Sequence, residues 1–284
     1  MYLKWFFNIK DDLFRKTITL FGINFKFGKN KNKPTIEDLR TYIMASQVNS
    51  KLEKYRGCFT DKNVVIIGGG PSLKYLDTLP KNAIKIGINR AYQIKNIEFD
   101  YLFAQDHFRE EKDIEGFIDY RKEYCLKFLG IHANQNVHSR IQQSTIARIK
   151  NKEFYILNNR RPQNTMYPID ISMEPFAWYS GTVFAVLQFC LFANAKKVYL
   201  AGFDCSNDGH AFSNNKVEYK QAYQYEYWEY FKNFKDTYFE ETEFISINPI
   251  NLKNLFRNIY TSQYVENNPN IKNEDIEILE GDKI

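Results

Sequence analysis

The sequence predicts an α/β fold, a doubly wound and mostly parallel sheet flanked by helices, and three observations predict it. Short, mostly continuous apolar runs recur between residues 63 and 247, as expected of strands buried on both faces of a parallel sheet. Helical patterns alternate with them, and residues 180–194 are apolar on nearly every side, which suits a helix buried against a sheet. The first apolar run, Val64-Val65-Ile66-Ile67, empties into Gly68-Gly69-Gly70-Pro71-Ser72-Leu73, a glycine-rich turn ending in a helix-start signal.

The elements follow in order. Residues 1–16 read as an amphipathic helix, and 17–21 with 24–27 as two short strands about Gly22. Residues 28–34 form a polar linker, and a helix is expected over 35–55. Strands are expected at 63–68, 84–89, 100–105, 125–131, 153–157, 197–202 and 243–247. Residues 219–239 read as a helix carrying Tyr223, Tyr227, Tyr230, Phe234 and Tyr238 on one face, for which core packing is the default and a wall for an acceptor sugar the alternative. The tail from Glu266 reads as loosely ordered or peripheral. Four parts result: a basic aromatic extension (1–33), a linker and helix (34–62), one Rossmann-like nucleotide-binding domain (63–265) and an acidic tail (266–284).

Charge is unevenly placed. Residues 1–33 hold eight Lys/Arg against Asp11 and Asp12, a surplus larger than the +5 of all 284 residues. Interleaved Trp5, Phe6, Phe7, Phe14, Phe21, Phe25 and Phe27 favour a membrane interface over nucleic acid as the anionic surface such an arm would meet. A solvated, partly packed helix and hairpin is the alternative. No run resembles a membrane span or a signal peptide, so a cytoplasmic protein is expected, with the arm suited to peripheral contact on the inner membrane face. Cys58, Cys125, Cys190 and Cys205 are scattered and imply neither a zinc site nor a disulfide framework.

The glycine turn is expected to present unpaired backbone N–H groups to a phosphate, with Ser72 able to cap the helix that follows. It lacks the third glycine and the acidic residue of a dinucleotide fingerprint, since Leu73 and Asn89 stand where those would be. No Walker loop, G-x-S-x-G elbow or H-E-x-x-H helix occurs. Beyond the expected strand ends lie Gly68 to Ser72, Asn89, Gln105 with Asp106 and His107, and Asp204 to His210, which a doubly wound sheet would bring to one crevice. Asn89 suits a base or a ribose hydroxyl. Asp106 and Asp204 suit a metal that bridges phosphates, a sugar hydroxyl or proton transfer. His210, between Gly209 and Ala211 on a polar loop, is the first candidate for proton transfer and His107 the second, whereas His132 and His138 have no supporting context.

The motifs Ile67-Gly68-Gly69-Gly70-Pro71-Ser72-Leu73, Asn89-Arg90-Ala91-Tyr92, Ser180-Gly181-Thr182-Val183 and Val198-Tyr199-Leu200-Ala201-Gly202-Phe203-Asp204 resemble the bacterial sialyltransferases of glycosyltransferase family 42. In the same order they resemble the 6-hydroxymethylpterin diphosphokinase MptE-like family, and the likeness spans about residues 60 to 250. By the first resemblance Gly68, Gly70, Pro71, Ser72, Asn89, Ser180 and Gly181 would line the site of a CMP-sugar donor. Gly69 stands where those enzymes have asparagine, and no histidine follows His210 in the place of their general base. The string from Thr17 to Phe27 is similar to a leader segment of surface-polysaccharide glycosyltransferases.

These resemblances imply a sialyltransferase-like glycosyltransferase acting in lipooligosaccharide or capsule assembly. It would move a sugar, a nonulosonate from a CMP donor, onto a bacterial cell-surface glycan, with no metal or other cofactor. His210 or Asp106 would take the acceptor proton, and Gly68, Gly69, Gly70, Pro71, Ser72, Asn89, Gln105, Ser180, Gly181 and Asp204 would hold the nucleotide. The alternatives are an ATP- and Mg-dependent diphosphokinase with Asp106 and Asp204 as ligands, and a non-catalytic nucleotide-binding accessory protein of a glycosylation system.

Overall fold

A computed structural model describes residues 36–105, 111–132, 143–158, 167–177, 181–206, 211, 221–271 and 276–284. For residues 7–11, 15–20 and 23–28, and for 37, 111, 143 and 221–224, it describes the backbone alone.

Three strands, β1 (Phe7–Asp11), β2 (Arg15–Leu20) and β3 (Ile23–Gly28), make an antiparallel sheet in that order. The hairpin about Gly22 is as expected, with Leu20 paired to Ile23. The amphipathic helix expected over 1–16 is corrected, because β1 pairs with β2 from Phe7↔Leu20 to Asp11↔Lys16. In Phe7-Asn8-Ile9-Lys10-Asp11 the apolar residues alternate with polar ones, and that period of two suits a strand beside a hairpin edge. Helix α1 (Ile36–Val48) then runs into a 3-10 segment, Asn49–Tyr55.

The main sheet has nine parallel strands: β4 (Asn63–Ile67), β6 (Ile84–Ile88), β7 (Tyr101–Ala104), β8 (Leu126–His132), β9 (Lys152–Asn158), β10 (Phe176–Ala177), β11 (Lys197–Ala201), β12 (Glu243–Ile247) and β13 (Arg257–Ile259). Their spatial order is β10-β9-β8-β7-β6-β4-β11-β12-β13. All seven expected strands are present, and the fold is Rossmann-like. The order reverses at β4, whose neighbours are β6 on one side and β11 on the other, so the switch point lies between the carboxyl ends of β4 and β11.

Helices α2 (Glu111–Asp119), α3 (Gln143–Arg148), α4 (Thr182–Phe192) and α5 (Gln221–Tyr238) connect the strands. Side chains alternate between faces, so each strand feeds two cores. On the face covered by α4, Phe103 and Phe128 stack at 4.5 Å, with Phe189 of α4 5.4 and 4.8 Å from them. Burial of each such ring contributes about 1.5–3 kcal/mol. The opposite face gathers Val65, Ile67, Leu102, Ala104, Leu129 and Phe117.

Buried polar groups tie these layers together. Gln188, on the otherwise apolar α4, accepts from the Ala177 N–H at 2.8 Å and donates to the Ala177 carbonyl at 3.1 Å, which holds β10 at the sheet edge. Lys127 is fully buried and donates to the Tyr120 carbonyl just beyond α2 at 2.9 Å. Burial lowers its pKa.

Two expectations are corrected here. The connection from β4 to β6 contains no α-helix, only a 3-10 turn, Pro71–Tyr75, and the short strand β5 (Thr78–Pro80). The tail lies at the surface as expected, but its end is tied down rather than loose. After α6 (Ser262–Asn267) the chain returns as β14 (Gly281–Lys283), antiparallel to β5, and Leu279 is buried.

Candidate functional site

The loop after β4 and the loop after β11 meet at the switch point. Gly68 N–H donates to the Ala201 carbonyl at 2.9 Å and Gly70 N–H to the Gly202 carbonyl at 2.8 Å. Ser72 gives its N–H to Asp204 Oδ2 at 2.7 Å and its hydroxyl to Asp204 Oδ1. Ser72 and Asp204 are both buried, and Asn251 N–H donates to the Asp204 carbonyl at 3.2 Å.

This corrects the reading of the turn as a cradle of free amides. Those of Gly68, Gly70 and Ser72 serve the protein's own oxygens, and Pro71 has none. Ser72 caps no helix, since the turn begins at Gly70 without a side-chain cap. Its partner is a carboxylate 132 residues away, which takes the place a phosphate was expected to occupy. Gly69 N–H has no partner among the described residues, and its carbonyl accepts from Ala211 at 2.8 Å.

Glycine is required here by close packing. A Cβ on Gly70 would lie 2.6 Å from Asp204 Cγ and 2.8 Å from the Gly202 carbonyl oxygen. Gly202 has φ +71°, and a Cβ there would meet Leu73 at 2.6 Å.

Beyond β6 the chain turns at Asn89, in the left-handed region at φ +52°. Its Oδ1 accepts from the Thr182 hydroxyl at 3.3 Å. Thr182 opens α4 after Gly181, whose extended backbone (φ −156°, ψ 134°) is the N-cap without a side-chain cap or an acidic residue in the first turn. A helix start of this kind favours an anion. The following 3-10 turn, Asn89–Gln93, is fixed to α2 through Asp113, which pairs with Arg90 at 2.6 Å and accepts from Gln93 at 2.9 Å.

Gln105 stands at the end of β7 with 1 % exposure, and neither its Oε1 nor its Nε2 has a hydrogen-bond partner among the described residues. Strand alternation puts it on the face of Tyr101 and Phe103, the face that α4 covers. Its side chain leans over Gly130 of β8, where an added Cβ would lie 2.9 Å from Gln105 Cγ. An unpaired buried amide costs about 1–3 kcal/mol, which a ligand able to donate and accept would recover.

His132, passed over in the sequence, ends β8 on that same face and is 5 % exposed. The available signal was the one used for Asn89, a polar residue closing an apolar run. Thr182 and Asn251 were also missed. Asp106, His107, Ser180 and His210 lie outside the described residues. Ala211, next to His210 in sequence, is tied to the glycine turn by its N–H. Among the described residues no group of three His, Cys, Asp or Glu side chains could hold a metal ion.

The four cysteine thiols are free. Burial pushes Cys205, beside Asp204, up to about 12, opposed by a hydrogen bond with Trp228. No helix among the described residues is long and apolar enough to cross a membrane. No protein-family model matches the chain, and no curated protein matches it in sequence.

Proposed function

We propose that the protein is a glycosyltransferase taking its sugar from a nucleotide-activated donor, a CMP-nonulosonate, and delivering it to a bacterial cell-surface glycan. One observation carries the reading. At the carboxyl edge of a parallel sheet, the start of α4 with Asn89 beside it and the amide of Gln105, the one without a side-chain cap and the other without a partner among the described residues, lie on one side of the switch point.

The chemistry is a single displacement. The acceptor hydroxyl attacks the anomeric carbon, a base takes its proton, and the bond to the donor phosphate breaks. Negative charge grows on that phosphate, where the first-turn N–H groups of α4 and the N–H of Gly69 stabilise it. Asn89 and Gln105 orient the donor. His210 is the proposed base, with His132 next, and the arm of residues 1–33 brings the protein to an anionic membrane that carries a lipid-linked acceptor.

A second reading has an observation of its own. Because the amides of Gly68, Gly70 and Ser72 are consumed internally, the site also suits a non-catalytic nucleotide-binding subunit of a glycosylation complex. The diphosphokinase alternative has less support, since both Asp204 carboxylate oxygens already accept from Ser72. Calorimetry with the CMP-sugar, followed by parallel incubations of the purified protein with CMP-sugar and a glycan acceptor and with ATP and a hydroxymethylpterin, each with and without EDTA, tests all three. Metal-independent release of CMP with acceptor glycosylation supports the transferase. Intact donor despite binding supports the subunit, and ATP-dependent, EDTA-sensitive turnover the kinase.

A further inference from the structure

A helix in the β4-to-β6 connection would cover one face of the sheet. Here that connection is a 3-10 turn and a short strand, and a cleft of about 550 Å³ opens beside it. Its size falls within the range of about 300–1,000 Å³ typical of small-molecule sites. It lies on the face opposite α4, where Leu73, Leu76 and Ile94 pack on the core that includes Ile97.

The lining has a definite chemistry. Leu73, Leu76, Ile94 and Ile97 present aliphatic walls, while Asn96 and Gln263 bring two exposed side-chain amides that no described residue engages. Lys74 also lines the cleft; its ammonium lies 4.6 Å over the Tyr75 ring and meets no carboxylate among the described residues, whereas Asp77 is neutralised by Lys283 at 2.8 Å. Aliphatic walls with neutral donor-acceptor groups and one cation that no described carboxylate neutralises suit a planar heterocycle attached to an anion. The cleft also reaches the glycine turn, because Pro71 and Ala211 line it and Ala211 N–H donates to the Gly69 carbonyl.

We propose that this cleft seats the nucleobase and ribose of the donor, with Asn96 and Gln263 reading the edge of the base. The assignment rests on the nucleotide-binding reading above and deepens it. The nucleotide enters the cleft base first and leads its phosphate past Gly69 over the carboxyl edge of β4. The sugar then reaches the side of Asn89 and Gln105.

Calorimetric titration of the full chain with CMP, UMP, GMP and AMP tests it. The wild type is expected to bind at least one of them. Ile94→Trp, which fills the cleft from a half-buried position, is expected to weaken that nucleotide tenfold or more. The double change Asn96→Ala with Gln263→Ala, on exposed side chains that leave folding intact by circular dichroism, is expected to weaken it threefold or more and to flatten the preference among bases. Nucleotide affinity and base preference unchanged in the double variant would overturn the cleft assignment while sparing the donor reading. Absence of binding to any of the four by the wild type would overturn both.

Discussion

The carboxylate of Asp204 grips Ser72 from across the switch point, accepting its backbone N–H at 2.7 Å and its hydroxyl. Both residues are buried, so this double contact clamps the loop after β4 to the loop after β11. Ser72→Ala leaves a buried carboxylate short of one donor and is expected to cost about 1–3 kcal/mol, read from the urea midpoint. Asp204→Ala also orphans the Ser72 N–H and is expected to cost more. Equal midpoints for wild type and Ser72→Ala would show that the clamp is not a stabilising contact.

Gly70→Ala places a methyl group against Asp204 Cγ and the Gly202 carbonyl. Overpacking against backbone is expected to destabilise by about 1–3 kcal/mol. Gly181→Ala is the comparison, because its nearest neighbours to an added Cβ lie at 3.7 Å. Thermal melts of the two variants should therefore separate clearly.

Gln105→Leu removes an amide that no described residue satisfies. The ligand-free variant is expected to melt at or above the wild-type temperature. Donor nucleotide affinity is expected to fall about tenfold, the equivalent of one hydrogen bond of about 1.4 kcal/mol. A large drop in melting temperature would instead identify Gln105 as a structural residue.

Burial raises the pKa of all four cysteines, with Cys125 and Cys205 at about 12. The thiolate is the reactive form and is scarce at any pH below the thiol pKa. At pH 8 the native protein is expected to react slowly with a disulfide reagent such as DTNB, and in guanidinium all four thiols should react at once. Rapid native labelling of Cys125 or Cys190, the two buried thiols, would contradict their placement.

Phe231→Ala should cost about 3–5 kcal/mol and Tyr230→Ala under about 1 kcal/mol, measured by denaturant titration. Phe231 is fully buried, 5.3 Å from both Tyr167 and Phe244, while Tyr230 is 40 % exposed. The aromatic stripe read from the sequence included Tyr230 and omitted Trp228 and Phe231. Helix α5 has more rings than one face can bury, and Phe184, Phe203, Phe244 and Phe256 select which rings pack inward.

Local pattern alone determined the seven principal strands, the two long helices and the position of the glycine turn. Continuous apolar runs and glycine spacing are properties of neighbouring residues, and burial on both faces of a parallel sheet demands them wherever the strands finally lie. Tertiary structure decided the partners. That Asp204 takes the amide meant for a phosphate, that Gln188 holds a two-residue edge strand and that the tail pairs with β5 all depend on which segments the sheet order brings side by side. These contacts join residues from 11 to more than about 200 positions apart, and closure over such spans is set by the packed whole rather than by any stretch of chain. His132 and Gln105 reach one face of the carboxyl edge for the same reason: alternation chooses the face, but only the neighbouring strand shows what stands beside it.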